Sequence, residues 1–294
     1  LLQRAVDNKQ KTPEPSDIMK KVLLTLSAFA AFAAFAINAQ AVILINEIFV
    51  NPPGTDDTQE FIEFRSTTGG VESLSGLHLL VIEGDTTSAG LLDGVLNLGS
   101  FSTGANGLFV WAANAAINSF SPAPAAASTL NISDFSPDIE NGAQTYLLVT
   151  GYTGAAIGTD LDTDNNEANG FSGTAWTSVV DAIGVHDSGT DDHTYGSAVG
   201  FADFPVAPSG FDPEVALRLA NGDWIVSDIA GTNPGGPYTF DGLETIDANG
   251  DPVNVTALDF DDVSPGNVNP IPEPATAAFA LMGLAGFMLR RRRA

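Results

Sequence analysis

The feature that most constrains this chain is a recurrence of short apolar runs rich in β-branched and aromatic residues, with turn formers between them. Val42–Val50, Glu60–Ser66, Leu77–Glu83, Leu108–Ala112, Thr145–Tyr152, Val179–Val185 and Val215–Ala220 are each too short for a stable helix, and Gly, Pro, Asn, Asp and Ser separate them. Within Glu60–Ser66, alternation puts Ile62 and Phe64 on one face and Phe61, Glu63 and Arg65 on the other. Leu77–Glu83 is apolar on both faces, so it is expected to be a central strand. Between the two ends no amphipathic helix emerges, and Ala112–Ile117 reads at most as a turn. The expected fold is all-β, an antiparallel β-sandwich with long loops. Ser119–Ser128 reads as a low-complexity loop, Ala155–Thr177 as an acidic insertion and Gly231–Pro265 as a turn-rich closing segment.

The two ends follow different rules. Met19-Lys20-Lys21 is a basic start, Val22–Ile37 is apolar, and Ala39-Gln40-Ala41 is a small-x-small cleavage site. This is a secretory signal helix over 19–41, cut before Val42, with residues 1–18 read as a mis-called upstream extension. At the other end, Pro272-Glu273-Pro274 leads into the uncharged run Ala275–Leu289, followed by Arg290, Arg291, Arg292 and Arg293. A helix over that run is about 22 Å long, short of the roughly 30 Å of a bilayer core. It suits a transmembrane segment awaiting processing, and the arginines would stay on the cytoplasmic side. Order and spacing over 270–294 resemble the PEP-CTERM sorting signal of Gram-negative bacteria. The resemblance implies that an exosortase cuts near Pro272–Pro274 after transient membrane insertion and releases the body toward the surface.

The body, 42–269, is extreme in charge. It carries 32 carboxylates against two cations, Arg65 and Arg218, a formal charge of −30. Such a surface repels phosphates, which excludes nucleic acid as a partner, and it attracts cations. With so few cations, Arg65 and Arg218 are each expected to pair with an acid. The chain has no cysteine, so disulfides, thiolate catalysis and thiolate metal sites are excluded and the core must hold by burial.

A second resemblance lies inside the body. Leu44-Ile45-Asn46-Glu47-Ile48, Asn51-Pro52-Pro53-Gly54, Glu60-Phe61-Ile62-Glu63-Phe64 and the stretch Val71–Leu79 are similar to the opening of lamin-tail domains. Ala216-Leu217-Arg218-Leu219 with Trp224 resembles a late strand of that family, and Ser264-Pro265-Gly266 with Asn269 its closing turn. Phe61 and Leu77 stand where the family has tryptophan. The resemblance implies an immunoglobulin-like sandwich that mediates contacts.

Several patterns could carry chemistry. Asp160, Asp162, Asp164 and Asn166 alternate in one loop, and oxygen donors at every second position can wrap calcium. Counted from Asp160, the sixth and twelfth positions are Asn165 and Phe171, so the EF-hand pattern fails at both its glycine and its closing glutamate. His186, Asp187, Asp191, Asp192 and His193 offer transition-metal donors in a turn-rich segment. His78 reads as a strand-face side chain. Glu47, Glu60 and Glu63 raise glycoside hydrolysis, although a carboxylate tying down a loop explains them equally. G-x-S-x-G, P-loop and H-E-x-x-H motifs are missing from the sequence. The expectation is a secreted, non-enzymatic surface or extracellular-matrix protein whose partners are exosortase, polysaccharide or surface proteins, with calcium as its cofactor. The alternative is an extracellular hydrolase.

Overall fold

A computed structural model describes residues 42–52, 59–187, 189, 191–207, 210, 212–230, 238–254 and 263–269. The predicted signal helix and the whole sorting segment lie outside them. No helix of the described residues is long and apolar enough to cross a membrane.

Twelve strands are described: β1 Ile43–Phe49, β2 Phe61–Ser66, β3 Leu77–Glu83, β4 Leu92–Asn97, β5 Leu108–Ala112, β6 Thr129–Ile132, β7 Gln144–Thr150, β8 Ser178–Val185, β9 Ala202–Phe204, β10 Val215–Arg218, β11 Trp224–Ala230 and β12 Thr239–Asp247. The seven runs read from sequence coincide with β1, β2, β3, β5, β7, β8 and β10. The described helices are short 3-10 turns, of which Ala115–Ser119 is one. Two sheets form, in the orders β12-β11-β10-β1-β2-β5-β6 and β4-β3-β7-β8-β9. Pairing is antiparallel except for β5 with β6 and β8 with β9, which are parallel; the purely antiparallel expectation is corrected there. A second correction concerns the closing segment: Thr239–Asp247 is a strand paired along β11, not a series of turns.

One core joins the sheets. Ile45, Ile62, Phe64 and Phe109 of the larger sheet bury against Leu79, Val81, Leu148 and Ile183 of the smaller, which makes the body sandwich-like. Each sheet is also covered on its outer face. Leu80, Ile82, Leu147 and Val149 lie beneath Leu161, Trp176 and Tyr195, so β3 is central, flanked by β4 and β7. Over the larger sheet, Phe49 and Phe61 meet Phe120 and Tyr238 at ring-centroid separations of 5.1 to 6.0 Å. Each such aromatic pair contributes about 0.5–1.5 kcal/mol beyond its buried area. The acidic insertion and the low-complexity loop therefore act as lids over apolar sheet faces, anchored by Trp176 and Phe120.

A β-bulge between Ile45 and Glu47 organises the opening strand. Pairing of β1 with β10 begins at Glu47 opposite Leu217. At Ile45, side chains take over from the ladder. The Ile45 amide donates to Asp181 Oδ2 at 2.8 Å, and its carbonyl accepts from Arg218 Nε at 2.9 Å. Arg218 Nη2 donates to both Asp181 oxygens at 2.7 and 2.6 Å, and its guanidinium stacks 4.3 Å from the Trp224 ring centre. This buried pair bridges the two sheets and satisfies the backbone that the bulge leaves unpaired.

Candidate functional site

The loop predicted to take calcium is partly folded inward. Asp162 is fully buried, and its Oδ2 accepts from the Tyr195 hydroxyl at 2.9 Å, while its Oδ1 is buried without a hydrogen-bond partner. Burial and the Asp162 carboxylate together push the Tyr195 phenol up. Asp160 turns back to accept the Asp162 amide at 3.0 Å. Asp164 is exposed and accepts from Asn169 Nδ2 at 2.8 Å; that bond, with a contact to Asp162, holds its carboxyl below the usual range. Asn166 accepts from the Ala168 amide and caps a 3-10 turn. Asn165 takes a left-handed backbone, φ 47°, which asparagine tolerates better than most residues. The loop thus brings Asp162 and Asp164 together and points Asp160 at its own backbone.

Two three-carboxylate groups, each with oxygens within 4.8 Å of one another, lie elsewhere: Glu83 with Asp93 and Glu140, and Asp85 with Asp187 and Asp192. Their members come from β3, β4 and loops far apart in sequence, so no local spacing announces them; only the Asp187–Asp192 half was visible in the histidine-bearing segment. Burial, followed by crowding with neighbouring carboxylates, raises Glu83 to about 7 and Asp93 to about 6. Burial and contact with Asp192 raise Asp187 to about 7. Neither histidine of that segment joins these groups: His193 Nδ1 lies 3.6 Å from Glu167 Oε2. His78 packs its ring 5.0 Å from that of Tyr152, in keeping with a strand-face role.

The carboxylates of the opening motif are sealed. Glu47 and Glu63 are cross-strand neighbours, both fully buried, and Glu60 is buried just before β2. The closing segment lies over the pair: the Ser264 amide donates to Glu47 Oε1 at 3.3 Å, and the Gly266 amide to Glu63 Oε2 at 2.5 Å. Asn46 Nδ2 donates to the other Glu63 oxygen. Ser128 Oγ and Asn106 Nδ2 hold the Gly266 carbonyl at 2.5 and 3.2 Å. Burial raises Glu63 to about 8, and burial with the neighbouring Glu63 charge drives Glu47 well above the usual carboxylate range. The opening and closing motifs thus meet in space, as a carboxylate tie requires.

Arg218 pairs with Asp181 as expected, but Arg65 makes no ion pair among the described residues, a correction to the expectation that both cations are paired. Its half-buried guanidinium lines an open groove of about 640 Å³ with Asn46, Thr68, Asn106 and Asn269. A second groove, of about 550 Å³, runs past Asn221, Asp223, Trp224 and Asp247. Amide, hydroxyl and guanidinium groups of this kind orient polar ligands by hydrogen bonds.

Residues 270–293 match the sequence family described as the PEP-CTERM protein-sorting motif. That signal implies processing by an exosortase and an exported, surface or extracellular location. No curated protein and no solved structure matches the chain.

Proposed function

We propose that this chain is an exported, exosortase-sorted and non-enzymatic surface or matrix protein, whose lamin-tail-like, immunoglobulin-like sandwich associates with exopolysaccharide or envelope proteins. The sorting motif at 270–293 carries the reading. Two further observations support it. Glu47 and Glu63, the carboxylates nearest to a glycosidase pattern, are engaged by the closing segment rather than open to a substrate. The groove beside Arg65 presents the exposed hydroxyls of Thr67 and Thr68 and the half-buried Asn106, groups suited to saccharide hydroxyls. The proposal includes calcium at Asp160, Asp162, Asp164 and Asn166, supported by the partnerless Asp162 Oδ1 and by the contact of Asp162 with Asp164.

The test is cellular and biochemical. Replacing Pro272, Glu273 and Pro274 with alanine should leave the protein in the inner membrane with Arg290–Arg293 still attached, as read by fractionation and intact mass. The unaltered chain should co-sediment with the host's exopolysaccharide without generating new reducing ends. Unchanged release of the altered chain refutes the sorting role. Steady production of reducing ends refutes the non-enzymatic one.

A further inference from the structure

The buried pair Glu47–Glu63 poses an unsolved charge problem. The two carboxylates face each other across the β1–β2 ladder, and both residues are 0% exposed. Arg65, two residues along β2, is the nearest cation on that face but forms no ion pair with either. Burying two such groups without a counter-charge is costly enough that something must neutralise them.

Unpartnered oxygens lie on the pair, on residues bonded to it and in the groove beside it. Asn46 Oδ1, Glu47 Oε2, Ser264 Oγ and Asn269 Oδ1 are all buried without a hydrogen-bond partner, in residues only 0 to 3% exposed. These four residues are tied to the pair or to one another. Asn46 holds Glu63 through its Nδ2, and Ser264 holds Glu47 through its amide. Asn269, whose Nδ2 donates to the Arg218 carbonyl at 3.0 Å, lines the same groove as Asn46. The bulge next to Asn46 is what lets two successive residues, Asn46 and Glu47, both serve the Glu63 face. Few buried polar atoms lack a partner in a folded protein, and an unpartnered oxygen on Glu47 beside those of two residues bonded to the pair calls for a ligand.

The donor set identifies the ligand class. It consists of two carboxylates, two amide oxygens and one hydroxyl, with no nitrogen or sulfur donor. Hard oxygen ligands of this kind suit a calcium-type ion, not zinc or copper, and two negative charges balance one divalent cation. We infer that Glu47 and Glu63, with Asn46, Ser264 and Asn269, form a buried calcium site that pins the closing segment 263–269 onto the opening strand. This site shares no residue with the Asp160 loop. The closing segment directly precedes the sorting motif at 270, so the ion would fasten the sandwich to the stem on which processing acts. Extracellular modules bind calcium at about 10⁻⁴–10⁻³ M, so the fastening would form after export.

The experiment uses the full chain, stripped by a chelator and returned to calcium at pH 8. Three variants accompany it: Glu47→Gln/Glu63→Gln, Ser264→Ala and Asp162→Asn/Asp164→Asn. At a hundredfold excess over Kd, calcium should raise Tm by roughly 5–10 °C. One saturable calorimetric event, with its share of that gain, should persist in Asp162→Asn/Asp164→Asn, weaken in Ser264→Ala and be lost in Glu47→Gln/Glu63→Gln, which keeps only the event of the Asp160 loop. Infrared spectra guard against a double variant that fails to fold: a protonated-carboxyl band of the unaltered chain should disappear on adding calcium. The inference is overturned if that band persists at saturating calcium, meaning that protons neutralise the pair. It is equally overturned if the Asp162→Asn/Asp164→Asn variant loses all calcium binding.

Discussion

Replacing Arg218 with methionine is the sharpest test of how this sandwich is held together. Methionine keeps much of the side-chain length and the apolar contact with Trp224, but it removes the charge and every donor. Asp181, 1% exposed, would keep only backbone amides as partners, that of Ile45 at 2.8 Å and that of Ala182, and the Ile45 carbonyl would lose its Arg218 bond. Breaking a buried pair in this way costs about 3–5 kcal/mol, mostly from the stranded charge. Against a typical domain stability of about 5–15 kcal/mol this is a large fraction. For a body of this size it corresponds to a Tm drop of roughly 6–20 °C. Burial already holds the Asp181 carboxyl above its ordinary value despite Arg218. Without the guanidinium it should rise further and take up a proton in mild acid, so the penalty should be smaller at pH 5 than at pH 8. Urea unfolding followed by circular dichroism gives the energies, and tryptophan fluorescence reports on Trp224. Asp181→Leu/Arg218→Met, which removes both charges, should be less damaging than Arg218→Met alone. The reasoning fails if Arg218→Met costs under about 1 kcal/mol at pH 8, or if its cost is the same at both pH values.

Two further outcomes are expected. In chelator, stability should fall as pH rises. Glu63 at about 8, Glu83 and Asp187 at about 7 and Asp93 at about 6 keep protons in the folded chain. The unfolded chain releases those protons near pH 4. Their contribution is therefore complete below about pH 4 and is lost progressively up to about pH 8; calorimetric Tm values that stay flat or rise across pH 4.5–8 would contradict this. At the Asp160 loop, Asp162→Asn/Asp164→Asn should remove one saturable calcium-binding event in the millimolar range or below while leaving the general response to salt unchanged, and titration calorimetry of both chains checks it.

How far the sequence carried the fold depended on where each strand's partners lie. β1, β2, β3, β7 and β8 are legible because burial on one or both faces forces dense apolar runs. β4 was missed because Asp93 and Gly94 interrupt its run, and β12 because Asp241, Gly242, Glu244 and Asp247 make it read as turn. β6 and β9 are short edge strands whose parallel pairing is set by tertiary context, which no local pattern encodes. The tie between opening and closing motifs was legible only as a possibility for a carboxylate. Its partners, Ser264 and Gly266, are about 200 residues distant in sequence. The three-carboxylate groups were illegible for the same reason: each gathers residues from separate elements.

The placement of the two cations follows from the same electrostatics. In a body carrying 32 carboxylates, most acids are solvated, and a surface arginine beside one of them is worth about 0–1 kcal/mol. A cation matters only where a carboxylate has left water. Asp181, Glu47 and Glu63 are such groups, and all three act on or next to the bulged stretch of β1. Arg218 neutralises Asp181 directly. Arg65 lies within electrostatic reach of Arg218, Asp181 and Glu63, but its guanidinium opens into the groove instead of closing a pair. The charge balance around the bulge is therefore one cation short, and the shortfall falls on Glu47 and Glu63. Placing a third positive group there, by Ser264→Lys, should relieve the pair without calcium if its ammonium reaches Glu47, and should reduce the effect of chelator on Tm to the share that belongs to the Asp160 loop. If Ser264→Lys folds and keeps the full calcium response, that response arises away from Glu47 and Glu63, and the buried site is refuted.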